Sequence, residues 1–173
     1  MLIAAKSMGD FSFRKLMEVY EASNQKAAQE RKNLPAMFAL QLAEQDFCQY
    51  LQDVFFKTPG AVYYIWENNG SYVSALRLEP YRNGLLLEAL ETAEAHRQKG
   101  YASKLIVEVI SALKQHGPVT IRSSVDKENT QSLATHKKCG FVIDQENGIN
   151  YLNGDRYENG YGMLYMERKG NEK

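Results

Sequence analysis

The chain reads as an α/β (α+β) protein: a mixed, mostly antiparallel sheet of about seven strands flanked by four helices, in the order β-α-α-β-β-β-α-β-α-β-β. Three observations carry that reading. Two helix-length segments follow the first apolar run before any hairpin begins. The turn signals Asn68-Asn69-Gly70 and Asn83-Gly84 then join β-branched and aromatic runs, so consecutive strands pair antiparallel. Finally, an amphipathic stretch over 101–115 separates two apolar runs and supplies a crossover, which makes the sheet mixed rather than purely parallel.

The elements follow in order. Met1 to Lys6 is briefly apolar and reads as a first strand; no basic segment precedes it and it is too short for a signal peptide. Over 10–31, Phe13, Leu16, Met17 and Tyr20 recur at helical spacing, with Asp10 or Ser12 available as the cap. Asn33 and Pro35 start a second helix, whose buried stripe is Leu40, Ala43, Phe47, Leu51 and Val54. Thr58-Pro59-Gly60 breaks it. Strands over 61–66, 71–78 and 85–92 come next, then the 101–115 helix with Ala102, Leu105, Ile106, Val109, Ile110 and Leu113 inward. Gly117-Pro118 ends that helix and 119–125 alternates as a strand. A short helix over 130–138 is closed by Gly140, a left-handed cap. Strands over 141–144 and 162–167 finish the sheet, with a loop rich in Asn, Gly and Tyr between them.

Length and composition narrow the function. The 173 residues suit one domain, residues 1–173, able to bury a core without staples. Lys plus Arg number 21 and Asp plus Glu 21, which leaves no general pull toward nucleic acid or an anionic membrane. No apolar stretch approaches the roughly 18–20 residues of a membrane helix. The two cysteines, Cys48 and Cys139, fall within predicted helices and form no CxxC pair or Cys/His cluster, so no metal site is expected and a cytoplasmic location is the default.

The segment Arg97, Gln98, Lys99, Gly100, Tyr101, Ala102 joins a strand to a helix through a glycine turn. Such a turn is an anion site: the first helical N–H groups lack intrahelical partners and sit at the positive end of the helix dipole. A pyrophosphate suits it. A single glycine, with no acidic residue about 20 positions on, argues against a dinucleotide fold, and Gly100-Tyr101-Ala102 is not a Walker A ending.

Arg97-x-x-Gly100-x-Ala102 resembles the Q/R-x-x-G-x-G/A signature of the acetyl-CoA-dependent N-acetyltransferase superfamily, GNAT. Leu90-Glu91-Thr92 lies where that family keeps its pantetheine-facing strand, and Asn129 through Gly140-Phe141 resembles its second motif. The resemblance implies acetyl-CoA as cofactor, with Leu90, Glu91 and Thr92 pairing the pantetheine arm like an added strand. It implies that Gln98 to Ala102 hold the pyrophosphate, that Arg97 and Lys99 add charge, and that Asn129 bonds the arm. Many family members dimerise, so a homodimer is compatible with it. The acceptor implied is a small-molecule or exposed primary amine.

For catalysis the resemblance places a tyrosine acid four residues before the glycine of Gly-Phe; this chain has His136 there. His136 is thus expected to protonate the departing sulfur, since imidazole titrates near neutrality; otherwise it is one polar residue on an exposed turn beside Lys137 and Lys138, and a tyrosine of the late loop takes the task. Glu91, with Glu88 as the alternative, is the candidate base. Their odd separation puts them on opposite faces of a regular strand, so only one faces the acceptor. Cys139 reads as a small buried residue rather than a nucleophile. The competing reading is a GNAT-fold module that binds CoA without transferring acetyl.

Overall fold

The structure, a computed structural model, describes residues 1–150 and 154–167. The strands are β1 (Leu2–Ala5), β2 (Val62–Asn68), β3 (Ser71–Tyr81), β4 (Gly84–Thr92), β5 (Thr120–Asp126), β6 (Val142–Gln145), β7 (Gly148–Ile149), β8 (Arg156–Tyr157) and β9 (Gly160–Met166). Seven of them form one sheet in the order β1-β2-β3-β4-β5-β9-β6, antiparallel throughout except between β4 and β5. The expected sheet is therefore present. The late loop also carries a hairpin of its own, β7 against β8, which its Asn- and Gly-rich composition did not suggest.

Among the described residues five α-helices accompany the sheet where four were expected: α1 (Phe13–Val19), α2 (Glu21–Gln29), α3 (Ala36–Asp53), α4 (Tyr101–Lys114) and α5 (Thr130–Lys138). The additional one arises because the 10–31 segment breaks at Tyr20. No glycine or proline marks this break; tertiary contacts hold it. Tyr20 is buried, its ring 5.4 Å from that of Phe47, and its hydroxyl donates to the Ala89 carbonyl of β4 at 2.5 Å. Ser12 caps α1 by accepting from the Lys15 N–H at 3.4 Å.

Helix α3 ends at Asp53, one residue before the expected stripe does. Val54 is left 52% exposed, and the following turn inserts Phe55 into the core in its place. Ala39, Ala43 and Leu51 form the buried line of α3.

Each face of the sheet has its own core. On one, Leu105, Ile106, Val109 and Ile110 of α4 pack on Leu76, Leu78, Leu87 and Ile121. On the other, Leu16 of α1, Leu51 of α3 and Phe55 pack on Tyr63, Ile65 and Ala75. Each such side chain contributes roughly 1.5–3 kcal/mol on full burial, so both layers hold the sheet rigid beneath the site. The single tryptophan, Trp66 on β2, lies under α4, with Lys104 Nζ 4.5 Å from its ring centroid.

Two features of β4 place the site. Its parallel ladder with β5 spans only Leu85 opposite Ile121 and Leu86 opposite Arg122, after which the strands diverge. It also bulges. Ala75 of β3 pairs with Glu91 but Arg77 with Glu88, so Leu76 faces both Ala89 and Leu90. Ala89 takes the extra place with φ +50°, a left-handed conformation that glycine adopts more easily.

Candidate functional site

The divergence of β4 and β5 opens two adjoining clefts. One, of about 660 Å³, lies between Glu88, Ala89 and Leu90 of β4 and Ser123 to Asp126 of β5, with His136 behind and the β7–β8 hairpin in front. The other, of about 730 Å³, runs from Leu90 along Thr92 to the 97–102 turn and the first turns of α5. Leu90, Asn129 and Ser132 line both, so they form one continuous channel. Past Leu86 the β5-facing edge of β4 has no strand partner among the described residues, and Glu88 to Thr92 border this channel.

At the turn, Gln98 has φ +60° and Gly100 φ +79°. Gly100 is the residue before α4, and the first intrahelical bond there is Lys104 N–H to its carbonyl at 2.9 Å. The N–H groups of Tyr101, Ala102 and Ser103 precede it without intrahelical partners, and these three residues line the channel's end, an arrangement suited to an anion. A Cβ on Gly100 would meet nothing within 4 Å, so glycine is required by the backbone conformation and not by crowding inside the protein. Arg97 is fixed by Nε donating to the Thr92 carbonyl at 3.2 Å. Lys99 is not among the residues that line the channel, and its Nζ donates to the Ala95 carbonyl at 2.8 Å. The Tyr101 hydroxyl accepts from Asn68 Nδ2 at 3.2 Å and ties the helix start to the β2–β3 hairpin.

Asn129 does more than the sequence suggested. Its Oδ1 accepts from the Ser132 N–H at 3.0 Å, capping α5, while the side chain still borders both clefts.

The expectation that Glu88 and Glu91 fall on opposite faces is wrong. The bulge at Ala89 adds one residue between them, restores the parity and puts both on the face that carries α1 and α3. Glu88 Oε2 lies 3.5 Å from Arg77, whose guanidinium stacks 4.8 Å from the Tyr50 ring centre. Glu91 accepts a hydrogen bond from the Ser23 hydroxyl of α2 and lies 4.0 Å from Arg97. Sequence reasoning missed Ser23, and it missed Tyr20, which fixes the bulged carbonyl. Neither residue type in a helix signals such a contact. Burial drives the hydroxyl pKa of both Tyr20 and Tyr63 upward, so these phenols remain protonated.

His136 is not on an exposed turn. It is 2% exposed, edge-on to Phe141 at 5.1 Å between ring centres. Its Nδ1 is 2.8 Å from the Ser132 carbonyl, while its Nε2 is buried without a hydrogen-bond partner among the described residues. Burial lowers its pKa, partly countered by the bond to Ser132. Of the late-loop tyrosines expected as substitutes, Tyr157 borders the same cleft, its ring seated against Gly148 and Gly160; Tyr151 lies outside the described residues. Cys139 is buried after α5, its Sγ 3.6 Å from the Ser103 carbonyl, and burial pushes its thiol pKa up, the opposite of what a nucleophile needs.

No described helix is long and apolar enough to cross a membrane. Comparison with known proteins agrees with this architecture. No curated protein matches the chain. Among solved structures it is similar to the PaiA N-acetyltransferase of Thermoplasma acidophilum in complex with coenzyme A, at 13% identity and TM-score 0.67 over 96% of this chain and 99% of that one. It is also similar to the ribosomal-protein-S18-alanine N-acetyltransferase of Escherichia coli (14%, 0.62, 100% and 99%) and to a Bacillus subtilis acetyltransferase in complex with CoA (17%, 0.54, 72% and 84%). Identities this low show the fold alone. The family model described as acetyltransferase (GNAT) family matches residues 16–141, from α1 through the residue after Gly140. That span is most of the 173 residues, and the chain belongs to the GNAT acetyltransferase family.

Proposed function

We propose that this protein transfers an acetyl group from acetyl-CoA to a primary amine by direct attack. One observation carries the reading: a channel that opens where β4 leaves β5 runs without interruption from the unpaired peptide edge at Leu90 to the N–H groups at the start of α4. An extended peptide-like arm ending in a pyrophosphate needs that sequence of partners. Leu90, Glu91 and Thr92 would pair the arm, and Gln98, Gly100, Tyr101 and Ala102 would hold the phosphates, with Arg97 adding charge. Asn129 would bond the arm through the amide nitrogen that its capping role leaves available. The bound cofactor would supply an acetyl thioester.

The acceptor end supports an amine. Glu88, Asp126 and Asp155 line the cleft there, and among the described residues lining it there is no lysine or arginine. An amine approaching as its ammonium form is favoured by these carboxylates. Glu91 would orient it and accept its first proton from the adjoining cleft that it lines, on the same face of β4 as Glu88; Glu88, which lines the acceptor cleft itself, is the alternative. The test is thiol release from acetyl-CoA across a panel of amines, with Glu91→Gln and Glu88→Gln alongside wild type. Release that depends on the amine supports the reading.

The second reading, a module that binds CoA without transfer, is favoured by one observation: His136 stands where the family resemblance places a tyrosine acid. Stabilisation by CoA on heating, with no thiol release for any amine, would establish it.

A further inference from the structure

On the transferase reading above, the geometry points to His136 as a proton shuttle that begins as an acceptor, not as the acid its position suggests. A carbonyl oxygen only accepts. The 2.8 Å contact between Nδ1 and the Ser132 carbonyl therefore requires the proton on Nδ1. In neutral imidazole the other nitrogen is then a bare lone pair. That nitrogen, Nε2, is buried without a hydrogen-bond partner among the described residues, and His136 is one of the residues that line the cleft. A buried, unsatisfied acceptor is costly to keep unless a donor arrives in use. Ser132 Oγ, 3.4 Å from Nδ1, is on the wrong side of the ring to supply one to Nε2.

The imidazole also stays neutral near physiological pH. Burial lowers its pKa, and the titratable groups facing the same cleft are Glu88 on β4, Asp126 on β5, and Asp155 and Tyr157 on the hairpin side; burial, not these, is the leading cause of the shift. His136 therefore holds no Nε2 proton to give at the outset. It has to take one first, and the attacking amine is the donor that the cleft admits.

The balance closes within one turnover. As the new C–N bond forms, Nε2 accepts the proton that the amine nitrogen sheds. As the C–S bond breaks, the sulfur leaves with the bonding pair and Nε2 returns that proton to it. The imidazole is neutral before and after, and Nδ1–H keeps its bond to Ser132 throughout, holding the ring in place. A tyrosine at this position has an O–H to donate but no comparable acceptor near neutrality.

Two experiments test this. Long-range proton–nitrogen spectra of the wild-type protein read each histidine tautomer, and the signal lost in His136→Phe identifies His136 among the three histidines. Protonated Nδ1 with bare Nε2 at pH 7 is expected; a protonated Nε2 overturns the inference. In amine-dependent thiol release, His136→Phe should lower kcat by about a hundredfold or more with KM for acetyl-CoA little changed. His136→Tyr, with its melting temperature checked, should be equally impaired. Wild-type kcat in the tyrosine variant would show that an acid alone suffices and overturn the shuttle. No release by wild type with any amine would sink the transferase reading and this inference together, whereas wild-type activity that survives in His136→Phe sinks the shuttle alone.

Discussion

The two ends of the β4–β5 pair differ in what holds them. At the closed end the backbones meet: a Cβ on Gly84 would lie 2.6 Å from the Thr120 carbonyl oxygen, and the two ladder pairs follow directly. At the open end Ala89 bulges, its carbonyl turns to Tyr20, and side chains rather than strand bonds fill the space. A sheet that must both cohere and admit a ligand separates these duties along one strand pair. On the proposed function, the closed end carries stability and the open end carries binding and chemistry.

Substitutions can break or sharpen that division. The largest effect belongs to the closed end. Gly84→Val forces a side chain against backbone that cannot yield cheaply, and a loss of about 3 kcal/mol is expected in urea unfolding. An unchanged midpoint would mean that the closed end is not the rigid one. Next is Gly100→Val at the far end of the channel. Its Cβ meets nothing within 4 Å, but at φ +79° a side chain is strained by about 1–2 kcal/mol. CoA affinity should fall about tenfold or more, roughly 1.4 kcal/mol or above, while the protein remains folded; calorimetry showing wild-type affinity would remove the turn from the phosphate site.

Asn129 sits on the boundary between the two duties. Asn129→Ala should cost about 1 kcal/mol of stability through the lost cap and weaken CoA binding as well. Asn129→Ser keeps a capping oxygen without the amide, so its stability should recover while its affinity does not. Recovery of both would leave Asn129 a cap only. The smallest effect is on pH dependence. Because burial lowers the His136 pKa, the unfolded chain takes up that proton first as pH falls. The corresponding stability is full above the ordinary imidazole value of about 6.5 and is lost as pH drops from there through the folded value. His136→Phe should flatten this stretch of the stability curve; a curve of unchanged slope would mean that the imidazole is as well solvated as in the unfolded chain.

The same contrast explains what was legible in the sequence. The hairpins, the crossover helix and the 97–102 turn are local devices, written in Asn-Gly pairs, helical periodicity and one glycine, and they stand where expected. The bulge was hidden because alanine, unlike glycine, gives no sign of a positive φ; counting residues from Glu88 to Glu91 on a regular strand then gave the wrong face. The break at Tyr20 depends on partners far along the chain, Ala89 and Phe47, and the burial of His136 goes with the docking of α5 against α4 and β5. Two adjacent lysines made His136 look solvated. Local backbone structure could be read in advance, and side-chain environments set by tertiary contact could not.

The lone tryptophan has a practical consequence. Trp66 lies beneath Lys104 in the first turns of α4, the helix whose start is proposed to hold the phosphates. Indole emission responds to a nearby ammonium and to small shifts in its distance, so this chain carries its own optical reporter at the donor end of the channel. Titrating CoA while following fluorescence can register filling of that turn without label, coupled assay or known acceptor.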